Sequence, residues 1–91
     1  MKTYYNNLSI KATSWIRFEN YIKVPNPFTQ REVFLTNEKA DIFVLIDYGY
    51  NQEEILSKLK PKYSNITMNE IIKIINLLLE LDVIQEVDQF D

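Results

Sequence analysis

The feature that most constrains this chain is a change of residue pattern near position 36. Before it, residues 15–24 are rich in aromatic and β-branched side chains with a partial alternation of period two, which is typical of a strand. After it, apolar residues recur at helical spacing in three successive segments. The order of these patterns predicts an α+β fold in which the strands precede the helices.

Two or three antiparallel strands are expected in the first part of the chain. Residues 8–12 alternate as 15–24 do and are a candidate strand. The Pro-Asn-Pro sequence at 25–27 interrupts the pattern, because proline fixes φ and has no N–H for a sheet ladder. Residues 32–35 resume it, and residues 83–87 form a short extended segment that can add a small strand.

Each of the three predicted helices begins after a residue whose side chain can accept a hydrogen bond from the first turn. The helices are expected over 38–48, from 52, and from 68 to about 81. The capping residues are Thr36 with Asn37, Asn51, and Thr67, where Glu70 is placed to close a capping box.

Two residues are predicted to end the first two helices. Gly49, the only glycine, stands where the first helix needs a left-handed C-terminal cap, and Pro61 ends the second. The order of elements is that of a winged helix-turn-helix with its sheet moved to the front. At this length a single core is usual, so residues 1–91 are expected to form one domain.

Composition excludes much of the chemistry that enzymes use. The chain contains neither Cys nor His, which removes thiol nucleophiles, thiolate metal sites, the commonest general base and the commonest transition-metal ligand. No motif arranges a catalytic Ser, Lys, Tyr or carboxylate. The sequence therefore predicts a protein that is not an enzyme and that holds no cofactor or metal.

The same composition bounds location and partners. The N-terminal residues lack the apolar stretch of a signal peptide, and no run approaches the ~18 apolar residues that span a bilayer. We therefore expect a cytoplasmic protein that does not bind membranes. The net charge is −3 and no dense basic patch is present, so nucleic acid is not an expected partner.

Three stretches of sequence, taken in order, carry a family resemblance. They are Asn26-Pro27-Phe28-Thr29 followed by the strand 32–35 and Asn37-Glu38, then Ile46 to Leu56 around Gly49, and Leu78-Leu79-Glu80-Leu81-Asp82-Val83-Ile84. In order and spacing they resemble the PqqD-like family, also called precursor-peptide recognition elements, over about residues 15–87. One departure is Asp82, where the family usually has Gly, which a left-handed turn tolerates better.

The resemblance implies a peptide-binding module. Family members bind the leader segment of a ribosomally made precursor peptide as an added strand beside their third strand, in a cleft against the third helix. A tethered or associated enzyme, for example a radical S-adenosylmethionine enzyme, then modifies the same peptide. In this mode of recognition, main-chain hydrogen bonds to an open sheet edge supply affinity and side-chain pockets supply specificity.

The predicted peptide-binding residues lie on the strand before the helices and on the third helix. The apolar arc of that helix spans roughly 220°, so the helix is either buried on two sides or lines a groove with one flank. The predicted flank consists of Ile72, Ile75 and Leu79, and the alternative flank contains Leu77 and Leu81. The predicted site consists of Arg31, Glu32, Val33, Phe34, Leu35, Ile72, Ile75, Asn76 and Leu79.

Two other functions stay open. A DNA-binding winged helix would use helix 68–81 for recognition, but this helix offers only Asn69 and Lys73 for base edges and phosphates. A homodimeric structural or adaptor protein would bury the apolar flank between copies, so both a monomer and a homodimer are possible. Aromatic residues early in the chain are expected to pack on a strand face and not to form a platform for bases; they are Tyr4, Tyr5, Trp15, Phe18 and Tyr21.

Overall fold

The structure is a computed structural model that describes residues 2–6, 15–25 and 31–88, with side chains described for 15–25 and 31–85. Its elements, in chain order, are β1 (Lys2–Asn6), β2 (Ile16–Arg17), β3 (Ile22–Pro25), β4 (Glu32–Leu35), α1 (Asn37–Asp47), α2 (Gln52–Leu59), α3 (Met68–Glu80) and β5 (Ile84–Asp88). The predicted strand at 8–12 lies outside the described residues.

The strands form two antiparallel sheets. The first has the order β2-β3-β4 and precedes the three helices, which confirms the predicted α+β layout. The second pairs β1 with β5, from Lys2 opposite Asp88 to Asn6 opposite Ile84. The extended segment after α3 is therefore a strand as predicted. Its partner β1 was not predicted as a strand, and it lies against α1.

The predicted single strand over residues 15–24 is a hairpin instead, so that prediction was wrong in its connectivity. The chain reverses at Glu19 and Asn20, where the N–H of Phe18 donates a 2.8 Å hydrogen bond to the carbonyl of Tyr21. Asn favours turns because its side chain bonds to nearby backbone and it tolerates turn conformations. The aromatic residues on either side hid this turn from a pattern based on strand propensity.

The core lies between the three-stranded sheet and the helices. The register places Ile22 opposite Leu35 and Val24 opposite Val33, so these side chains share one face. Ile22, Val24 and Leu35 are buried, and Phe43 of α1 is buried with them in the same cluster. The sheet therefore has one face on the core and one on solvent, as antiparallel sheets commonly do.

The helix starts match the predicted positions within one residue, but only two of the three side-chain caps form. Asn51 accepts a 2.9 Å hydrogen bond from the N–H of Glu54, whose carboxylate accepts a 3.0 Å bond in return, which is a complete capping box. Thr36 occupies the N-cap position of α1 without a capping hydrogen bond. The next residue, Asn37, has φ 51°, a left-handed conformation that Asn adopts more readily than most residues.

The start of α3 is half of the predicted capping box. The hydroxyl of Thr67 accepts a 3.3 Å hydrogen bond from the N–H of Glu70. The carboxylate of Glu70 lies 3.5 Å from the same hydroxyl and does not return a bond to the backbone of the cap. The backbone N–H of Thr67, which a complete box would pair with Glu70, therefore donates no bond to that carboxylate.

The C-terminal ends of α1 and α3 close with the same motif. Gly49, at φ 91°, donates its N–H to the carbonyl of Ile46, and Tyr50 donates to Leu45. After α3, Asp82 is left-handed at φ 59° and donates to Leu79, as the residue after it donates to Leu78. This pair of bonds defines a Schellman motif. Asp82 therefore takes the backbone conformation for which glycine is the usual residue.

Candidate functional site

The outer edge of β4 is one half of the predicted site. In the sheet order β2-β3-β4, β4 pairs with β3 on one side, and within the described part of the chain no strand pairs with its other side. An edge strand directs alternate N–H and C=O groups away from its sheet, where another extended chain can pair with them. The strand predicted to receive a peptide is thus in an edge position.

The residues of this edge have different accessibilities. Leu35 is buried, so its side chain belongs to the core and only its backbone can contribute to the predicted site, which corrects that part of the prediction. Val33 is half-buried on the same inner face, while Glu32 and Arg31 are exposed. Phe34 is 60% exposed and is the most accessible large apolar side chain of β4.

Charge and aromatic contacts organise the outer face around β4. Lys23 of β3 and Glu32 form an ion pair with 3.1 Å between Nζ and Oε2. The ring of Phe34 meets Tyr21 edge-on at 5.7 Å, and Tyr21 stacks on Phe18 at 4.7 Å. These aromatic side chains therefore pack against one another on the sheet, as the sequence predicted for Phe18 and Tyr21. The side chains of Tyr4 and Tyr5 lie outside the described set.

Trp15 packs away from this cluster. Its ring meets Phe43 edge-on at 6.2 Å, and its indole N–H donates a 3.0 Å hydrogen bond to the Asp47 carboxylate. These contacts join the residue before the hairpin to both the core and the last turn of α1. Trp15 therefore serves packing, as expected.

The second half of the predicted site, on α3, needs one correction. Ile75 is 1% exposed and packs in the core, so its side chain is not available to line a groove. Ile72, at 37%, is the most exposed isoleucine of α3, Asn76 is exposed and Leu79 is half-buried. The spacings of four and three residues place Ile72, Asn76 and Leu79 along one stripe of the helix surface. The sequence alone could not predict which residues of α3 face the core, because apolar residues cover most of the helix surface.

The two halves of the predicted site pack mainly against different elements of the described chain. The main contacts of α3 are with α2, α1 and β5, while those of β4 are with β3. A peptide bound at the predicted site would therefore have to touch two elements that are not main packing partners of each other.

A surface pocket of about 590 Å³ lies elsewhere, and sequence reasoning did not find it. The hairpin 17–21, the first turns of α1, and Lys62 with Tyr63 line it. Asp41 also lines the pocket and accepts hydrogen bonds on Oδ2 from the Tyr63 hydroxyl at 2.6 Å and from Lys62 at 2.9 Å. Arg17 of the hairpin lies 3.9 Å from the other oxygen. These residues are distant in sequence, so no local motif could reveal the cluster.

Two members of this cluster, Lys62 and Tyr63, keep their protons near neutral pH. The hydrogen bond from Lys62 to Asp41, and then the charge of Asp41, raise the pKa of Lys62 above its ordinary 10.5. Burial, followed by the hydrogen bond to Asp41, raises the pKa of Tyr63 above its ordinary 10.0. Lys62 is therefore a cation and Tyr63 a neutral donor, and both direct protons at one carboxylate. The arrangement connects the hairpin, α1 and the α2–α3 connection.

Metal binding, membrane insertion and known relatives give no further indication of function. Among the side chains that the structure describes, no group of three His, Cys, Asp or Glu is placed to hold a metal ion. None of the described helices is both long and apolar enough to cross a membrane. Comparison with protein-family models, curated protein sequences and solved structures gave no match to this chain. The resemblance to the PqqD-like family thus stays a prediction that depends on the order and spacing of the residues.

Proposed function

We propose that this protein binds the leader segment of a ribosomally made precursor peptide as an added strand beside β4 and presents that peptide to a modifying enzyme. The observation that supports the proposal most is the position of β4 at the edge of the three-stranded sheet. Pairing of an extended peptide with such an edge gives main-chain hydrogen bonds that require no particular peptide sequence.

The surface of α3 supplies a second part of the proposed contact. Ile72 and Leu79 offer partly exposed apolar surface, and Asn76 offers amide groups between them. A leader that leaves β4 and continues over this stripe would bury apolar side chains there, which contributes roughly 25 cal/mol per Å² of apolar surface removed from water. Affinity would then come from both surfaces, and specificity from side-chain contacts.

In this proposal the chemistry is performed by a partner enzyme in the cytoplasm. The resemblance to the PqqD-like family implies an enzyme of the radical S-adenosylmethionine class as one such partner. The binding module would raise the effective concentration of the peptide at the enzyme, because a captured leader makes modification of the attached core effectively intramolecular.

Titration with synthetic leaders tests the proposal. Leaders of precursor peptides encoded beside the gene would be added to the isotope-labelled protein while its amide NMR spectrum is followed. We expect saturable shifts centred on residues 31–35 and on the stripe of Ile72, Asn76 and Leu79. Absence of saturable binding by every leader, or shifts confined to the Asp41 pocket, would contradict the proposal.

Backbone methylation of the leader tests strand addition specifically. In an antiparallel pair the hydrogen-bonded residues alternate, so only every second peptide N–H points at β4. We expect N-methylation at those alternate positions to weaken binding by about tenfold or more, and methylation at the intervening positions to have a much smaller effect. A uniform response along the peptide would argue for another mode of contact.

Self-association is the alternative that the open edge also permits. A second copy could pair through β4, because an unpaired edge accepts any compatible strand. Sedimentation velocity over a concentration series separates the two cases. A monomer that binds a leader supports the proposal, and a dimer that leader peptides do not dissociate supports a structural role.

A further inference from the structure

One row of side chains crosses the solvent face of the three-stranded sheet and ends at the edge of β4 that no described strand covers. The register places Ile16 of β2 opposite Lys23 of β3, and Lys23 opposite Phe34 of β4. Residues directly opposite each other in a sheet project from the same face. Phe34 is thus the last member of the row, beside the position that an added strand would occupy.

Phe34 is only partly covered by its own sheet. Tyr21 contacts its ring edge-on at 5.7 Å, yet 60% of Phe34 stays exposed. A residue opposite Phe34 on an added strand would have its Cβ about 4.5–5.5 Å from that of Phe34. An aromatic or large aliphatic side chain there would cover the ring and extend the Phe18–Tyr21–Phe34 cluster by one member.

The next residue of β4 on the same face, Glu32, is charged where Phe34 is apolar. Glu32 precedes Phe34 by two residues, shares its face, and is half exposed although Lys23 pairs with it at 3.1 Å. Like charges directly opposite each other in a sheet are destabilising. An acidic side chain opposite Glu32 would therefore weaken pairing, and a neutral or basic one would not.

The inner face of β4 discriminates less between the side chains of a bound peptide. Residues of the added strand that project inward would have Val33 and Leu35 as their neighbours on β4. Leu35 is buried and Val33 half-buried, so these side chains are already packed against the core. The outer pair, Phe34 and Glu32, is where an added strand changes solvent exposure and charge environment most.

We infer, resting on the proposed function, that Phe34 and Glu32 select the leader sequence: the bound strand carries an aromatic or large aliphatic residue opposite Phe34 and no acidic residue two positions away, opposite Glu32. The ligand class is thus an extended peptide with a bulky apolar anchor flanked at the second position by a neutral or basic residue. Attraction at one position and repulsion at the other together give specificity.

Calorimetric titration of a leader that binds the wild-type protein tests the inference. Phe34→Thr removes the ring and puts in its place a β-branched residue that also favours strands, and it should weaken binding about three- to tenfold. Ile16→Thr is the matched control, because Ile16 is half exposed on the same face at the far edge of the sheet. Its effect should stay within about twofold. Circular dichroism of each variant checks that the fold is retained.

Changes in the peptide complete the test. Intermolecular NOEs identify the leader residue opposite Phe34, and its replacement by alanine should weaken binding to the wild type but much less to Phe34→Thr, as in a double-mutant cycle. Aspartate two positions away should weaken binding, and Glu32→Gln should relieve that loss. If a leader binds at β4 but Phe34→Thr binds it as well as the wild type does, the inference fails while the proposed function stands. If no leader binds the wild type, both fail.

Discussion

The hydroxyl of Tyr63 donates a 2.6 Å hydrogen bond to Oδ2 of Asp41, and the two residues are 22 positions apart in the chain. Asp41 lies on α1 and Tyr63 on the connection between α2 and α3, so the bond spans two elements that local sequence does not join. The Asp41 side chain is 17% exposed, which shields the bond from much of the solvent competition that weakens surface ion pairs. It is therefore a contact that helps to position α1 relative to the later helices.

We expect Tyr63→Phe to lower the free energy of unfolding by about 1–2 kcal/mol, since it removes a hydrogen bond to a charged acceptor while keeping the ring. Urea unfolding followed by the fluorescence of Trp15 measures the change. Tyr48→Phe is the matched control, because Tyr48 is 66% exposed and should change stability by less than about 0.5 kcal/mol. Equal effects of the two substitutions would show that the bond to Asp41 contributes nothing specific.

The same pair predicts a dependence of stability on alkaline pH. The pKa of Tyr63 is raised by burial and by its bond to Asp41, so folding favours the neutral phenol over the phenolate. Its stabilising contribution is complete below the unfolded value of 10.0 and is lost as pH rises through the higher folded pKa. We expect the wild type to lose more stability than Tyr63→Phe when urea unfolding is repeated at about pH 9 and about pH 11. Identical losses would contradict this assignment.

The left-handed residues that follow α1 and α3 predict that losing a glycine destabilises the protein and that gaining one stabilises it. Gly49 has φ 91°, and a Cβ added there would meet nothing within 4 Å, so Gly49→Ala should cost about 1 kcal/mol through backbone conformation alone. Asp82 has φ 59°, and Asp82→Gly should stabilise the protein by up to about 1 kcal/mol. Thermal unfolding measures both. A loss of stability in Asp82→Gly would mean that the contacts of the Asp82 side chain outweigh its backbone cost.

Two isoleucines three residues apart on α3 should separate stability from binding. Ile75→Ala should cost about 2–5 kcal/mol, because it leaves a cavity in the core. Ile72→Ala should cost less than about 1 kcal/mol of stability, since Ile72 is 37% exposed, but it should weaken leader binding. Urea unfolding and calorimetric titration of the two variants give the comparison. Unchanged leader affinity in a folded Ile72→Ala variant would remove the α3 stripe from the proposed site.

The parts of the fold that could be predicted depend on residues close together in sequence. Asn51 caps α2 through a residue three positions away, and Gly49 ends α1 through backbone bonds within its own last turn. Such contacts need no partner from a distant part of the chain, so caps and breakers indicated where the helices begin and end. The hairpin at Glu19 and Asn20 was missed because aromatic residues favour strands on both sides of the turn, and propensity alone does not reveal where a chain reverses.

Sequence patterns were enough to predict the α+β order, the three helices with their boundaries, and the strand that precedes them. Tertiary structure alone decided that β1 pairs with β5 from the other end of the chain, that Asp41 gathers partners from separate elements, and that α3 turns Ile75 inward and Ile72 outward. The physical reason is that burial is a property of the whole packed domain. A helix with apolar residues over most of its surface has no preferred inward face until its neighbours occupy their places around it.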